Sequence, residues 1–201
     1  MTQLNIGIIN YGVGNHSSVA NAIKSLGHLV TLSNKISELK KCDTLVLPGV
    51  GSFSVAMKGL ENFGLIEFIK NWAHEDKRLI GICLGMQVLA TSGTEGGFCN
   101  GLGLLPGEVV KISDNNVHIG WNSLHVTNNT NLLADYKGVD FYFNHSYKIQ
   151  TKKNLVSATV KFGEDIPAIV FSRNVVGLQF HPEKSQKNGL TLLSKLIKGA
   201  I

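Results

Sequence analysis

The chain has 201 residues, enough to bury one sizeable core and few for two on a prior of roughly 100–200 residues per domain. Hydrophobic residues make up 43% and charged residues 16%, which excludes a disordered or low-complexity chain. The net charge of +5 comes from scattered lysines, densest at Lys35, Lys40 and Lys41 with no interleaved aromatics, which argues for generic surface charge and against nucleic-acid binding.

The first residues, MTQLNIGIINYG, have no cationic lead, and no apolar run reaches the roughly 18 residues of a membrane span, so a cytoplasmic protein without membrane attachment is expected. Residues 5–9 read as a strand ending in Tyr11-Gly12-Val13-Gly14-Asn15. Residues 17–26 then read as a helix with Val19, Ala22, Ile23 and Leu26 on one face and Gly27 as its stop. Strands follow at 30–32 and 44–47, the second leading into Pro48-Gly49-Val50-Gly51. Two amphipathic stretches at 55–60 and 65–72 precede a buried strand at 79–82, and a helix over 84–90 starts directly behind Cys83. This alternation of short β-branched runs and helices predicts parallel strands joined by crossover helices. Beyond residue 101 strands crowd together at 109–112, 123–126, 140–147, 155–161, 168–172 and 175–180, before a helix at 190–197. The expected fold is α/β: one doubly wound domain spanning 1–201, with a mostly parallel, flavodoxin-like sheet extended by antiparallel strands.

Cys42, Cys83 and Cys99 form no C-x-x-C pair, so neither a disulfide framework nor a metal site is indicated, and no cofactor is expected. Cys83 stands out because it lies in Gly81-Ile82-Cys83-Leu84-Gly85, where a strand feeds a helix. Unpaired N–H groups of a first helical turn stabilise a thiolate and any oxyanion formed there, and the sharp turn leaves little room beyond hydrogen at the flanking positions. Taken alone, the motif favours a buried thiol beside packing glycines. A nucleophile also needs a base and a group to orient it. Gly177-Leu178-Gln179-Phe180-His181-Pro182-Glu183 offers both, since Pro182 biases His181 toward an extended backbone in which Glu183, two residues on, points to the same side.

These two motifs together resemble those of the class I, triad-type glutamine amidotransferases, and the resemblance runs through nearly the whole chain. Tyr11 to Asn15, Pro48 to Gly51, His118-Ile119-Gly120-Trp121-Asn122, His145-Ser146-Tyr147 and Glu183-Lys184-Ser185 look more specifically like the glutaminase subunit of imidazole glycerol phosphate synthase. The resemblance implies Cys83 as nucleophile with His181 and Glu183 completing the triad, and Val50 and Leu84 N–H groups as the oxyanion hole. It implies Gly51, Gln87, Glu95, Ser146 and Tyr147 as glutamine-holding positions, with Glu95 near the α-ammonium. It further implies a partner, a (β/α)8 synthase subunit bound as a heterodimer, with Asn15, Trp121, Asn122 and Lys184 on or near the interface. Val117 before His118, Asn144 before His145 and the Asn15-His16-Ser17-Ser18 loop depart from the family's usual residues. Several of these lie near the expected partner face, so a paralogous glutaminase feeding a surface-sugar amidotransferase stays open. Two other readings remain beside it. A cysteine hydrolase of peptides or γ-glutamyl chains would share the Cys83 and His181 chemistry. A nucleotide-binding module would use Gly12-Val13-Gly14, but Ser17 stands where the fingerprint needs its third glycine and residues 32–35 carry no acid for a ribose.

Overall fold

The computed structural model describes residues 3–113, 117–127 and 132–199. Its first half is β1 (Asn5–Ile9), α1 (His16–Ser25), β2 (Leu29–Ser33), α2 (Ile36–Leu39), β3 (Thr44–Gly49), α3 (Phe53–Asn62), α4 (Leu65–His74), β4 (Arg78–Cys83) and α5 (Leu84–Val88). The second half is β5 (Ala90–Gly93), β6 (Cys99–Asn100), β7 (Leu105–Lys111), β8 (His118–Ser123), β9 (His125–Val126), β10 (Asp140–His145), β11 (Tyr147–Thr151), β12 (Val156–Phe162), β13 (Glu164–Ser172), β14 (Val175–Leu178) and α6 (Gln186–Ile197). An eight-stranded sheet runs in the order β2-β1-β3-β4-β14-β13-β12-β9. Its first five strands are parallel and the last three continue it antiparallel.

The central strands are covered on both faces, which is why they read as unbroken apolar runs rather than alternating ones. Ile6, Ile8, Val46, Ile80 and Ile82 face a core shared with Val19 and Ile23 of α1 and Leu192, Leu193 and Leu196 of α6. Ile9, Leu45, Leu47 and Leu79 face the opposite core, with Leu60 of α3 and Ile69 and Trp72 of α4. Burying one Leu or Ile contributes about 1.5–3 kcal/mol, so these two layers fix β4 rigidly and with it the residue at its end.

Three expectations are corrected. The antiparallel strands do not all extend the main sheet: β8 and β10 form a two-stranded sheet, and β11-β7-β5-β6 form a four-stranded one. The strand read over 140–147 is therefore two strands, broken at Ser146, where the chain leaves one sheet for the other. The helix read over 84–90 stops at Val88, because the returning segment takes its carbonyls: the N–H groups of Gly101, Leu102, Gly103 and Leu104 donate to the oxygens of Thr91, Val88, Ala90 and Leu89 at 2.8–2.9 Å. No helix among the described residues is long and apolar enough to cross a membrane.

Candidate active site

Strand β4 delivers Cys83 to the C-terminal end of the parallel sheet, where open α/β sheets hold their ligands. Cys83 has φ +54° and ψ −112°, a conformation that costs a non-glycine residue about 1–3 kcal/mol and that the surrounding structure must over-determine. The neighbouring glycines supply the room. A Cβ on Gly85 would sit 1.7 Å from the carbonyl oxygen of Leu47, and one on Gly81 would sit 2.8 Å from the backbone of Gly85. Neither glycine has a positive φ, so the need is for space and not for backbone freedom. The thiol is 5% exposed, with the carbonyl of Asn144 3.7 Å from Sγ.

His181 lies beside it, and its Nδ1 is 2.8 Å from Oε1 of Glu183, both side chains being buried. The contact forms, though not through an extended strand as the spacing suggested. His181 is extended (φ −99°, ψ 95°), and Pro182 then starts a 3-10 turn over Pro182–Lys184 that folds the Glu183 carboxylate back onto the ring. Since Nδ1 is engaged, Nε2 is the nitrogen left for Cys83. Burial alone would lower the His181 pKa, but hydrogen bonds with Cys83 and Glu183 and the negative charge on both outweigh it and hold it up at about 9. Asn15 donates from Nδ2 to the same Glu183 Oε1 at 3.2 Å, so it orients the carboxylate instead of simply facing outward.

A cleft of about 230 Å³ opens over Cys83, lined by Val50, Gly51, Leu84, Gln87, Glu95, Asn144, His145, Ser146 and Tyr147. Every oxyanion and glutamine-holding position named from the sequence lies on this wall. Gln87 is buried at 4% exposure, and its Nε2 donates to the Tyr147 carbonyl at 2.9 Å and to Gln179 Oε1 at 3.2 Å. Glu95 Oε2 accepts the Phe53 N–H at 2.7 Å, at the start of α3, which fixes the carboxylate and leaves its second oxygen for a cation. The Tyr11 hydroxyl donates to the Pro48 carbonyl at 2.6 Å and so pins the loop carrying Val50 and Gly51. Burial first, and then the charge of Cys83, push its phenol pKa up, so it stays a donor.

Sequence reasoning missed Gln179, wholly buried with Nε2 3.9 Å from Cys83 Sγ, and the contact of the Asn144 carbonyl with the thiol. The signal for Gln179 was present: it sits two residues before His181 in an apolar run, where a buried amide needs partners. Of the expected interface residues, Trp121 is 49% exposed and Lys184 is exposed, its Nζ 5.5 Å from the Tyr142 ring. Asn122 points inward, donating to the Lys161 carbonyl at 3.0 Å. Among the described residues no group of three or more His, Cys, Asp or Glu could hold a metal ion.

The Glutamine amidotransferase class-I family matches residues 7–198. The chain is 41% identical over 204 residues to the imidazole glycerol phosphate synthase subunit HisH of Bacillus velezensis, covering 97% of this chain and 96% of that one. It is 42% identical over 202 residues to subunit HisH 1 of Campylobacter jejuni, covering 96% and 99%. Among solved structures, a chain described as PurLQS from Thermotoga maritima superposes with a TM-score of 0.76 at 18% identity over the full length of both, which is a likeness of fold. The chain belongs to the class I glutamine amidotransferases, and among them to the family of the HisH subunits.

Proposed function

We propose that this chain is the glutaminase of an imidazole glycerol phosphate synthase: it hydrolyses the side-chain amide of glutamine and passes ammonia to a (β/α)8 synthase subunit bound as a heterodimer, in cytoplasmic histidine biosynthesis. Cys83 Sγ attacks the amide carbon, and the carbonyl oxygen takes the negative charge under the N–H groups of Val50 and Leu84, each such donor being worth about 2.7–4 kcal/mol. His181 Nε2, having taken the thiol proton, gives it to the leaving nitrogen, and ammonia departs to leave a glutamyl thioester. Water then attacks the thioester with His181 as base, and glutamate leaves as the thiol is restored. Bond making on the acceptor belongs to the partner. Glu95 faces the α-ammonium, and burial lowers the His145 pKa to about 3, so no second cation competes with the His181 imidazolium across the cleft.

The observation that carries this reading is the Cys83 elbow with the 2.8 Å His181–Glu183 contact behind it at the base of a cleft that also holds Gln87 and Glu95. It is tested by glutamate release from glutamine, alone and with the synthase subunit and its ligand. Release that rises sharply with the partner supports it, and hydrolysis of peptides in preference to glutamine contradicts it.

The charge of Glu183 has a pH signature. Removing it in Glu183→Gln destabilises the imidazolium, so His181 loses its proton at lower pH and the alkaline limb of kcat/KM moves acidward from near 9. By the same sign, a histidine held above its unfolded value of about 6.5 adds stability below that pH, which is lost as pH rises through about 9. Glu183→Gln therefore also flattens the fall in thermal midpoint over that window; an unchanged limb would rule out the assigned role.

Val117, just before β8, and Ile119 and Trp121 on it are 49%, 62% and 49% exposed, alternate residues forming an apolar stripe. With the synthase, Trp121→Ala is expected to weaken association by about 2 kcal/mol, roughly 30-fold in Kd by titration calorimetry, while the free chain's thermal midpoint holds.

A further inference from the structure

Strand β8 has an inner face as well. His118 is 3% exposed and stacked between Phe143, with ring centroids 4.6 Å apart, and Phe162, 4.4 Å away. The polar atoms along this face form a chain: Asn122 Nδ2 is 3.1 Å from His118 Nε2, His118 Nδ1 is 3.0 Å from His145 Nε2, and His145 Nδ1 is 2.8 Å from the Tyr147 carbonyl oxygen.

Only one arrangement of protons satisfies it. A carbonyl only accepts, so His145 Nδ1 carries the hydrogen and, in a neutral ring, Nε2 accepts. His118 Nδ1 must then donate, and its Nε2 must accept from Asn122. The Asn122 amide cannot be turned over, because its Oδ1 accepts the Ser123 N–H at 2.9 Å while Nδ2 also donates to the Lys161 carbonyl. Burial lowers the pKa of both rings, which keeps them neutral.

The chain ends on an oxygen that matters to the cleft. The Tyr147 carbonyl also receives Gln87 Nε2, and Gln87 in turn donates to Gln179, whose amide lies against Cys83. His145 is flanked by Asn144, whose carbonyl faces the thiol, and by Ser146 of the cleft wall.

We propose that Asn122, His118 and His145 are positioning residues whose proton-ordered chain fixes the 144–147 wall of the glutamine cleft and ties it to the outer face of β8. This rests on the glutaminase reading and adds a route for partner control. A partner seated on Ile119 and Trp121 is one pleat away from His118 and Asn122, so a shift of β8 changes the His118–His145 bond and, through the Tyr147 carbonyl, the setting of Gln87 and Cys83. No partner residue has to enter the cleft.

Two substitutions at one position separate positioning from packing. His118→Phe keeps the aromatic stack and removes both polar links. His118→Asn gives up the stack but places Nδ2 near the former Nδ1, where it still donates to His145. In the complex with the synthase subunit, His118→Phe is expected to lose less thermal midpoint than His118→Asn, yet to raise KM for glutamine about tenfold and to lose most of the partner's stimulation. His118→Asn is expected to melt lower yet keep KM within threefold of the parent. Unchanged kinetics in His118→Phe, with loss in His118→Asn in step with its stability, would overturn the proposal. Should His118→Phe not fold, Asn122→Leu breaks the chain with both rings in place, and an unchanged KM and stimulation there would overturn it equally. If the unaltered complex releases no glutamate from glutamine, the glutaminase reading itself falls and takes this one with it.

Discussion

Cys83→Ala is expected to lower glutamate release from glutamine by at least about 10⁴-fold while the chain stays folded. In the proposed mechanism the loss is large because the thiol is the atom to which the glutamyl group is transferred, and the other two cysteines cannot stand in: Cys42 is buried under β1, against Gly7, and Cys99 is on β6. Whatever rate remains comes from binding and oxyanion donors alone. The fold should survive because alanine keeps the Cβ at the strained backbone and deletes only Sγ, whose contacts are long, 3.7 Å to the Asn144 carbonyl and 3.9 Å to Gln179. A thermal midpoint within a few degrees of the parent, measured by calorimetry beside an enzyme-coupled glutamate assay, separates this outcome from unfolding. Full activity in Cys83→Ala would remove the mechanism.

Gly85→Ala should act on stability first. Its Cβ would meet the Leu47 carbonyl oxygen at 1.7 Å and the Leu47 carbonyl carbon at 2.7 Å, both backbone atoms in the middle of β3. No rotamer change relieves that, so α5 must lift away from the sheet or β3 must shift between its two neighbours. A cost above about 4 kcal/mol is expected, a drop of roughly 8–16 °C in thermal midpoint for a chain of this size. Gly81→Ala is expected to be milder: its nearest contact is the flexible end of Leu89 at 2.6 Å, with backbone of Gly85 at 2.8 Å. Whichever folded population of Gly85→Ala survives should still lose activity, since lifting α5 carries the Leu84 N–H away from where the proposed mechanism places the oxyanion. Equal midpoints for the two variants would show that the elbow is not packed as tightly as these distances require.

The parallel half of the fold is legible because its strands are buried on both faces, and runs such as those around Ile8, Val46 and Ile80 need no long-range information to be read. The elbow is legible for a related reason: strand, cysteine, helix start and both glycines fall within a few residues, so the local sequence states the whole constraint. His181 and Glu183 are legible as a pair, although the turn begun by Pro182, and not strand periodicity, brings them together. What escapes sequence reading depends on distant segments. The break at Ser146 follows from β10 and β11 having different partners, β8 and β7, which nothing in residues 140–151 reveals. The early end of α5 is set by residues 101–104 reclaiming its carbonyls. The bonds of Asn15 to Glu183 and of Gln87 to Gln179 join positions more than ninety residues apart, and only the fold can make those pairs.

The most direct test of the central claim is to quench the complex with acid during glutamine turnover and map the acyl group by peptide mass. Cys83 as nucleophile requires a glutamyl adduct on the peptide containing residue 83, gained with loss of ammonia, abolished by Cys83→Ala and discharged by a brief chase before quenching. An adduct on the peptide of Cys42 or Cys99, or glutamine turnover that persists in Cys83→Ala, would contradict it.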